Sequence, residues 1–166
     1  MNKKVLYLCQ GAMIAAIYVV LTVFVNAFGL ANGAIQIRIS EALCILPIFT
    51  PAAIPGLFVG CLLSNVITGC AIYDIVFGSL ATLIGAIGTY YLRNTNFLFT
   101  LPPVISNGLI IPVVLKFAYH LTDAYWFLVV TVCVGEIISV CILGMILKAA
   151  LWRERNFIFR NEAVGI

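Results

Sequence analysis

The sequence predicts an all-α membrane protein: six transmembrane helices in one integral-membrane domain covering residues 1–166. Three observations carry that expectation. The 166 residues are 64% hydrophobic and 9% charged, with a mean hydropathy of +1.18. A soluble domain carries about 25% charged residues, so this chain cannot cover a water-facing surface. Apolar stretches recur along the chain, with room for about six spans at roughly 20 residues each. The basic residues also fall in places that one membrane topology explains.

Lys3 and Lys4 precede the apolar run Val5–Phe28. That run is too long for the core of a cleavable signal and long enough to span, so it reads as a retained first helix. A loop rich in Gly, Asn and Ala follows at 29–36. The second segment runs from about Arg38 to Thr50, and the third from Ile54 to about Thr68, with Pro51 and Pro55 marking a turn between them. One helix from Ile39 to Thr68 would be about 45 Å long, against a hydrocarbon core of about 30 Å. Pro47, Pro51 and Pro55 also oppose continuity. Two short helices, partly shielded by neighbours, fit better. The fourth segment, Ile72–Leu92, stops at the polar run 93–96. The fifth, Phe97–Tyr119, holds Pro102, Pro103 and Pro112 as kinks or boundaries. The sixth starts near Tyr125 and ends at the basic tail after Lys148.

Six spans with the N-terminus inside place Lys3, Lys4, Arg93, Lys148, Arg153, Arg155 and Arg160 on the inner side. Only Arg38 and Lys116 fall outside or in the outer half. This asymmetry puts both termini in the cytoplasm. It also accounts for the net charge of +3 without nucleic acid. Glu41, Asp74, His120 and Asp123 then fall on or near the outer side, and Glu136 in the outer half or middle of the last helix.

Enzymatic and metal chemistry find little support. His120 is the one histidine, and the six cysteines form no Cys-x-x-Cys pair. In apolar segments cysteine behaves as a small hydrophobe. No phosphate-binding loop is visible. Ser64, Ser79, Ser106 and Ser139 lack an evident base.

Buried polar residues carry the functional signal. Glu41 and Glu136 sit inside apolar stretches, where a carboxylate is costly and faces the bundle interior. Arg38, one helical turn before Glu41, pairs with it or contacts a ligand. Asn65 and Asn107 offer donors and acceptors, and Asn107 alternatively satisfies carbonyls freed by Pro102 and Pro103. Asp74 either caps the fourth helix or joins the ligand site. Tyr73, Tyr119, Tyr125 and Trp126 either stack on a ligand or form the interfacial belt. Gly11, Ala12, Ala15 and Ala16 form two interleaved small-x-x-x-small pairs, suited to internal packing or to a partner helix. Gly78, Ser79, Ala81, Gly85 and Gly88 read as internal packing.

Five stretches are similar to the QueT family of substrate-binding S components of energy-coupling factor (ECF) transporters. They are 37–43 (Ile-Arg-Ile-Ser-Glu-Ala-Leu), 55–60 (Pro-Gly-Leu-Phe-Val-Gly), 74–82 (Asp-Ile-Val-Phe-Gly-Ser-Leu-Ala-Thr), 101–107 (Leu-Pro-Pro-Val-Ile-Ser-Asn) and Gly135-Glu136. The resemblance implies a six-helix S component in the plasma membrane that captures a queuosine precursor, a 7-deazaguanine. It implies docking on a transmembrane coupling subunit through Ala12 and Ala16. Two ATPase subunits would use the ATP, so this chain holds no cofactor. Arg38, Glu41, Asn65, Asp74, Asn107 and Glu136 are the expected substrate-binding residues, and Gly11, Ala12, Ala15 and Ala16 the expected coupling face. Two readings stay open beside it: a stand-alone proton-coupled carrier using Glu41 or Glu136, and an S component for another vitamin.

Overall fold

A computed structural model describes residues 3–28, 38–119 and 124–158, with side chains through 154. His120, Asp123, Ile37, the 29–36 loop and the Arg155 and Arg160 side chains lie outside that set. The described elements are helical throughout. Helix α1 is Lys3–Ala27, and a 3₁₀ helix, Ile39–Ile48, follows it. Next come α2 (Ala53–Ile67) and α3 (Ile72–Tyr91), and a short 3₁₀ turn, Leu98–Thr100, leads into α4 (Leu101–Ala118). The last rod is α5 (Tyr125–Glu136), a π-helical stretch Ile137–Leu143, and α6 (Gly144–Ile158).

Four of these elements are long and apolar enough to cross a membrane: Lys3–Ala27, Ile72–Tyr91, Leu98–Ala118 and Tyr125–Glu154. The other two expected spans are short helices. The 3₁₀ helix covers about 20 Å at about 2.0 Å per residue, and α2 covers about 22 Å at about 1.5 Å per residue. The second and third segments are thus the two short helices expected from their prolines and length, and the bundle combines four full spans with a bent pair.

The chemistry of the second segment explains its shape. An α-helix here would lack a hydrogen bond at Pro47 and would drive its ring into the carbonyl four residues back. Every residue from Ser40 to Pro47 is buried. A segment that is apolar on all sides belongs in the middle of a bundle. It lies against α1, α3, α6 and the π stretch.

Around it, α1 packs on α2, α2 on α3, α3 on α4 and α4 on α5. Direction alternates from element to element. Tyr7 Oη donates to the Pro51 carbonyl at 3.2 Å, and the Phe49 and Trp152 rings lie 6.1 Å apart. The start of α1, the 3₁₀–α2 bend and the end of α6 thus share one end of the bundle. Arg93 and Lys148 belong to that end, over the Tyr90 and Phe99 rings at 4.1 and 4.3 Å. Arg38, Asp74 and Tyr119 mark the opposite end.

Close helix crossings need the small residues. A Cβ on Gly56 would lie 2.6 Å from the Gly11 carbonyl oxygen, and one on Gly60 would lie 2.8 Å from Tyr18 Cβ and 3.1 Å from Ala15 Cα. Gly11 and Ala15 are therefore buried against α2, while Ala12 and Ala16 face outward from the bundle. The small-residue stripe divides into an inward and an outward pair. Pro102 and Pro103 sit in the first turn of α4, where no helical N–H is lost. A Cβ on Gly85 would lie 2.8 Å from Pro103 Cα, so α3 and α4 meet closely there.

Candidate functional site

Glu41 is fully buried and lies near the start of the 3₁₀ helix. Its carboxylate is held by three elements. Tyr18 Oη of α1 donates to Oε1. Thr82 Oγ1 of α3 donates to the same oxygen at 3.3 Å. Cys44 Sγ donates to Oε2 at 2.9 Å. A 3₁₀ helix has three residues per turn, which brings Cys44 directly over Glu41. Cys44 is thus more than a space-filling hydrophobe, a role that its spacing from other cysteines could not reveal.

Arg38 does not pair with Glu41. It precedes the 3₁₀ helix with non-helical torsions, so the same-face argument for an α-helical turn fails. Its guanidinium faces Asp74 Oδ2 at 3.8 Å. Tyr119 Oη donates to that oxygen at 3.3 Å and accepts from the Ala71 N–H at 3.1 Å. Asp74 lies in the first turn of α3, where a carboxylate suits the helix dipole as expected, although the cap position itself is Ala71 and has no side-chain hydrogen bond. Asn65 Nδ2 donates to the Asp74 carbonyl at 3.3 Å. Arg38, Asn65, Asp74 and Tyr119 together tie the 3₁₀ start, α2, α3 and α4 at one end of the bundle.

Glu136 and Asn107 form the other half of the site. Val104 and Val140 share a core cluster with Ile45 and Phe99. Asn107 lies one turn beyond Val104, and Glu136 one turn beyond Val140 on the antiparallel rod. The two polar residues therefore share a level where α4 packs on α5. The π stretch that follows Glu136 packs on the 3₁₀ helix that carries Glu41, with Ile45 and Val140 in one cluster, so both halves belong to one interior region. Gly108 allows the approach: a Cβ there would lie 2.5 Å from Cys133 Sγ.

The hydrogen-bond inventory of this region is uneven. Glu41 is engaged on both oxygens. By contrast, Glu136 Oε2, both side-chain polar atoms of Asn107, Ser139 Oγ and Asp74 Oδ1 are buried without a partner among the described residues. Such groups cost about 1–3 kcal/mol each when left unpaired. Asp74 Oδ1 lies apart, in the Arg38 group; the unpaired atoms of Glu136, Asn107 and Ser139, on the facing rods, mark where an additional polar group is wanted. Asn107 does not satisfy carbonyls of its own helix, as the prolines had suggested. Among the described residues, no group of three or more His, Cys, Asp or Glu is arranged to hold a metal.

Tyr18, Cys44, Thr82 and Ser139 were not among the expected site residues. Tyr18 is the one with a sequence signal, since Gly11, Ile14, Ala15 and Tyr18 repeat at helical spacing and form the buried face of α1. The aromatic residues separate as well. Tyr119 bonds within the Asp74 group, whereas Tyr73 and Trp126 are exposed and suit the interfacial belt.

A family model described as QueT transporter matches residues 8–153. The chain belongs to the QueT transporter family. It is also similar to a curated protein, the queuosine precursor transporter QueT of Lactococcus lactis subsp. cremoris (strain MG1363). Identity is 34% over 73 residues, which is 44% of this chain and 43% of that protein. The aligned region spans less than half of that relative. No solved structure matches the chain. With its apolar helices, this QueT family member is a multi-pass membrane protein.

Proposed function

We propose that this chain is the substrate-binding S subunit of an ECF-type importer in the plasma membrane, and that it captures a queuosine precursor of the 7-deazaguanine class. The observation that carries the site assignment is the set of unpaired buried polar atoms on Glu136 and Asn107, next to the π stretch that packs on the 3₁₀ helix of Glu41. Family membership and the name of the Lactococcus relative supply the substrate class.

The chemistry suits that ligand. A guanine-type edge presents N–H and amino donors that one carboxylate accepts side by side. Asn107 supplies a donor for the neighbouring carbonyl. The region holds three buried carboxylates, Glu41, Asp74 and Glu136, against the single guanidinium of Arg38. That balance favours a precursor with a cationic aminomethyl arm. Arg38, Asn65 and Asp74 close the end through which the ligand enters.

The orientation places the Lys3, Arg93, Lys148 and Arg153 end in the cytoplasm, by the positive-inside bias. Ala12 and Ala16, the outward pair on α1, form the face for the transmembrane coupling subunit, where small residues let a helix approach closely. Two partner ATPases supply the energy, and this chain contributes binding.

Reconstitution tests the assignment. Purified chain in vesicles is expected to bind 7-deazaguanine precursors without accumulating them. Accumulation is expected only with coupling subunit, ATPases and ATP. Uptake by this chain alone under a pH gradient, lost in Glu136→Gln, would establish a proton-coupled carrier instead.

A further inference from the structure

The geometry points to Ser139 as a specificity-determining residue of the ligand site, reading the exocyclic amino group of a planar lactam–amine edge beside Asn107 and Glu136. The inference rests on the queuosine-precursor reading above and adds a residue and a rule of selectivity to it.

Ser139 stands apart from the other core serines. Ser64 Oγ donates to the Cys61 carbonyl, Ser79 Oγ to the Ile75 carbonyl and Ser106 Oγ to the Pro103 carbonyl, each within its own helix. Ser40 Oγ accepts from Thr22. Ser139 is fully buried, yet its hydroxyl has no partner among the described residues. A buried serine on a helix ordinarily bonds back to a carbonyl one turn away. Here the backbone is π-helical from Ile137 to Leu143. Such widened turns recur at functional positions.

Placement follows from that same turn. The Gly144 N–H bonds to the Ser139 carbonyl, so these two residues stack one wide turn apart. A Cβ on Gly144 would lie 2.9 Å from Ile45 Cγ2 and 3.4 Å from the Ala42 carbonyl. That face of the rod is therefore turned to the 3₁₀ helix that carries Glu41. Asn107 flanks Glu136 from α4, and Ser139 lies on its 3₁₀-helix side. The two ends of a ligand edge are therefore assigned to Asn107 and Ser139, with Glu136 between them.

Their unpaired atoms comprise acceptors on Glu136, Asn107 and Ser139, and donors on Asn107 and Ser139. A guanine-type edge runs carbonyl, ring N–H, amino group. The carbonyl accepts from Asn107 Nδ2, the ring N–H donates to Glu136, and the amino group donates to Glu136 and Ser139 Oγ. Glu41, already engaged by Tyr18, Thr82 and Cys44, holds the 3₁₀ helix in place and contributes charge.

The test compares two ligands and two proteins by calorimetry on the full chain in detergent. The ligands are 7-deazaguanine and 7-deazahypoxanthine, which differ by the amino group. Wild type is expected to prefer 7-deazaguanine by about 10-fold or more, because the amino group also reaches a carboxylate. Ser139→Ala should bind 7-deazaguanine about 3- to 10-fold more weakly, the size of one neutral hydrogen bond. It should bind 7-deazahypoxanthine unchanged. The ligand-free variant should melt no lower than wild type, since an unpaired buried hydroxyl has been removed. Ser139→Cys, of similar size and weaker hydrogen bonding, should give the same pattern. A wild-type preference preserved in both variants overturns the role of Ser139 alone. No binding of either deazapurine by wild type overturns this inference together with the substrate reading.

Discussion

Tyr18→Phe isolates the hydrogen bond that joins α1 to the buried carboxylate of the 3₁₀ helix. The ring is retained, so no cavity forms, and only the donor to Glu41 Oε1 is lost. The oxygen then keeps one long hydrogen bond, from Thr82 at 3.3 Å. That donor is shared with the Gly78 carbonyl at 3.2 Å. A hydrogen bond to a charged group contributes about 1.5–3 kcal/mol. In a chain of this size about 1 kcal/mol shifts the melting temperature by about 2–4 °C. The expected drop is therefore about 3–12 °C, read by circular dichroism in detergent without ligand. Thr82→Val removes the longer, shared bond and should lose less than Tyr18→Phe. Equal melting of Tyr18→Phe and wild type, or a larger loss in Thr82→Val, would refute the view that Tyr18 is the principal donor to Glu41.

Three further outcomes follow from the packing. Glu136→Gln should weaken binding of a 7-deazaguanine precursor by about 1.5–3 kcal/mol, measured by calorimetry, and unchanged affinity would remove Glu136 from the site. Gly56→Ala forces a Cβ to within 2.6 Å of the Gly11 carbonyl and should cost about 1–3 kcal/mol of stability, seen as a lower melting temperature. Ala16→Trp adds a ring to an outward position, so melting and ligand binding should match wild type while cellular uptake fails; normal uptake would move the coupling face elsewhere.

Much of the fold is readable from amino-acid chemistry. Pro51 lies in the bend between the second and third segments, with Pro47 inside the 3₁₀ helix and Pro55 in the first turn of α2, and the polar run 93–96 ends α3. Hydropathy cannot show that Ile39–Ile48 is 3₁₀ rather than α, because both bury an apolar segment equally well. That distinction decides the site. It places Cys44 over Glu41 and leaves Arg38 free of the helix to reach Asp74. Glu41, Asn107 and Glu136 stand out because polar groups are rare in such a chain. Tyr18, Thr82 and Ser139 do not, because aromatic and hydroxyl residues are common in membrane helices and only tertiary contacts separate a bonded hydroxyl from an unpaired one. The small residues of α1 split for a similar reason: spacing identifies two stripes, and the position of α2 decides which is covered.

The shortness of α2 has a consequence for the lipid around it. Its outer face carries Val59, Leu63, Val66 and Ile67, all exposed, so it meets acyl chains over about 22 Å. The surrounding hydrocarbon is about 30 Å thick. On that flank the bilayer must thin by about 8 Å, at a fraction of a kcal/mol per Å, while beside α1, with 25 residues, it need not thin at all. The protein therefore sits in an asymmetric dent of a few kcal/mol. A thinner membrane relieves that strain and a thicker one deepens it, so acyl-chain length should tune how readily this bundle tilts.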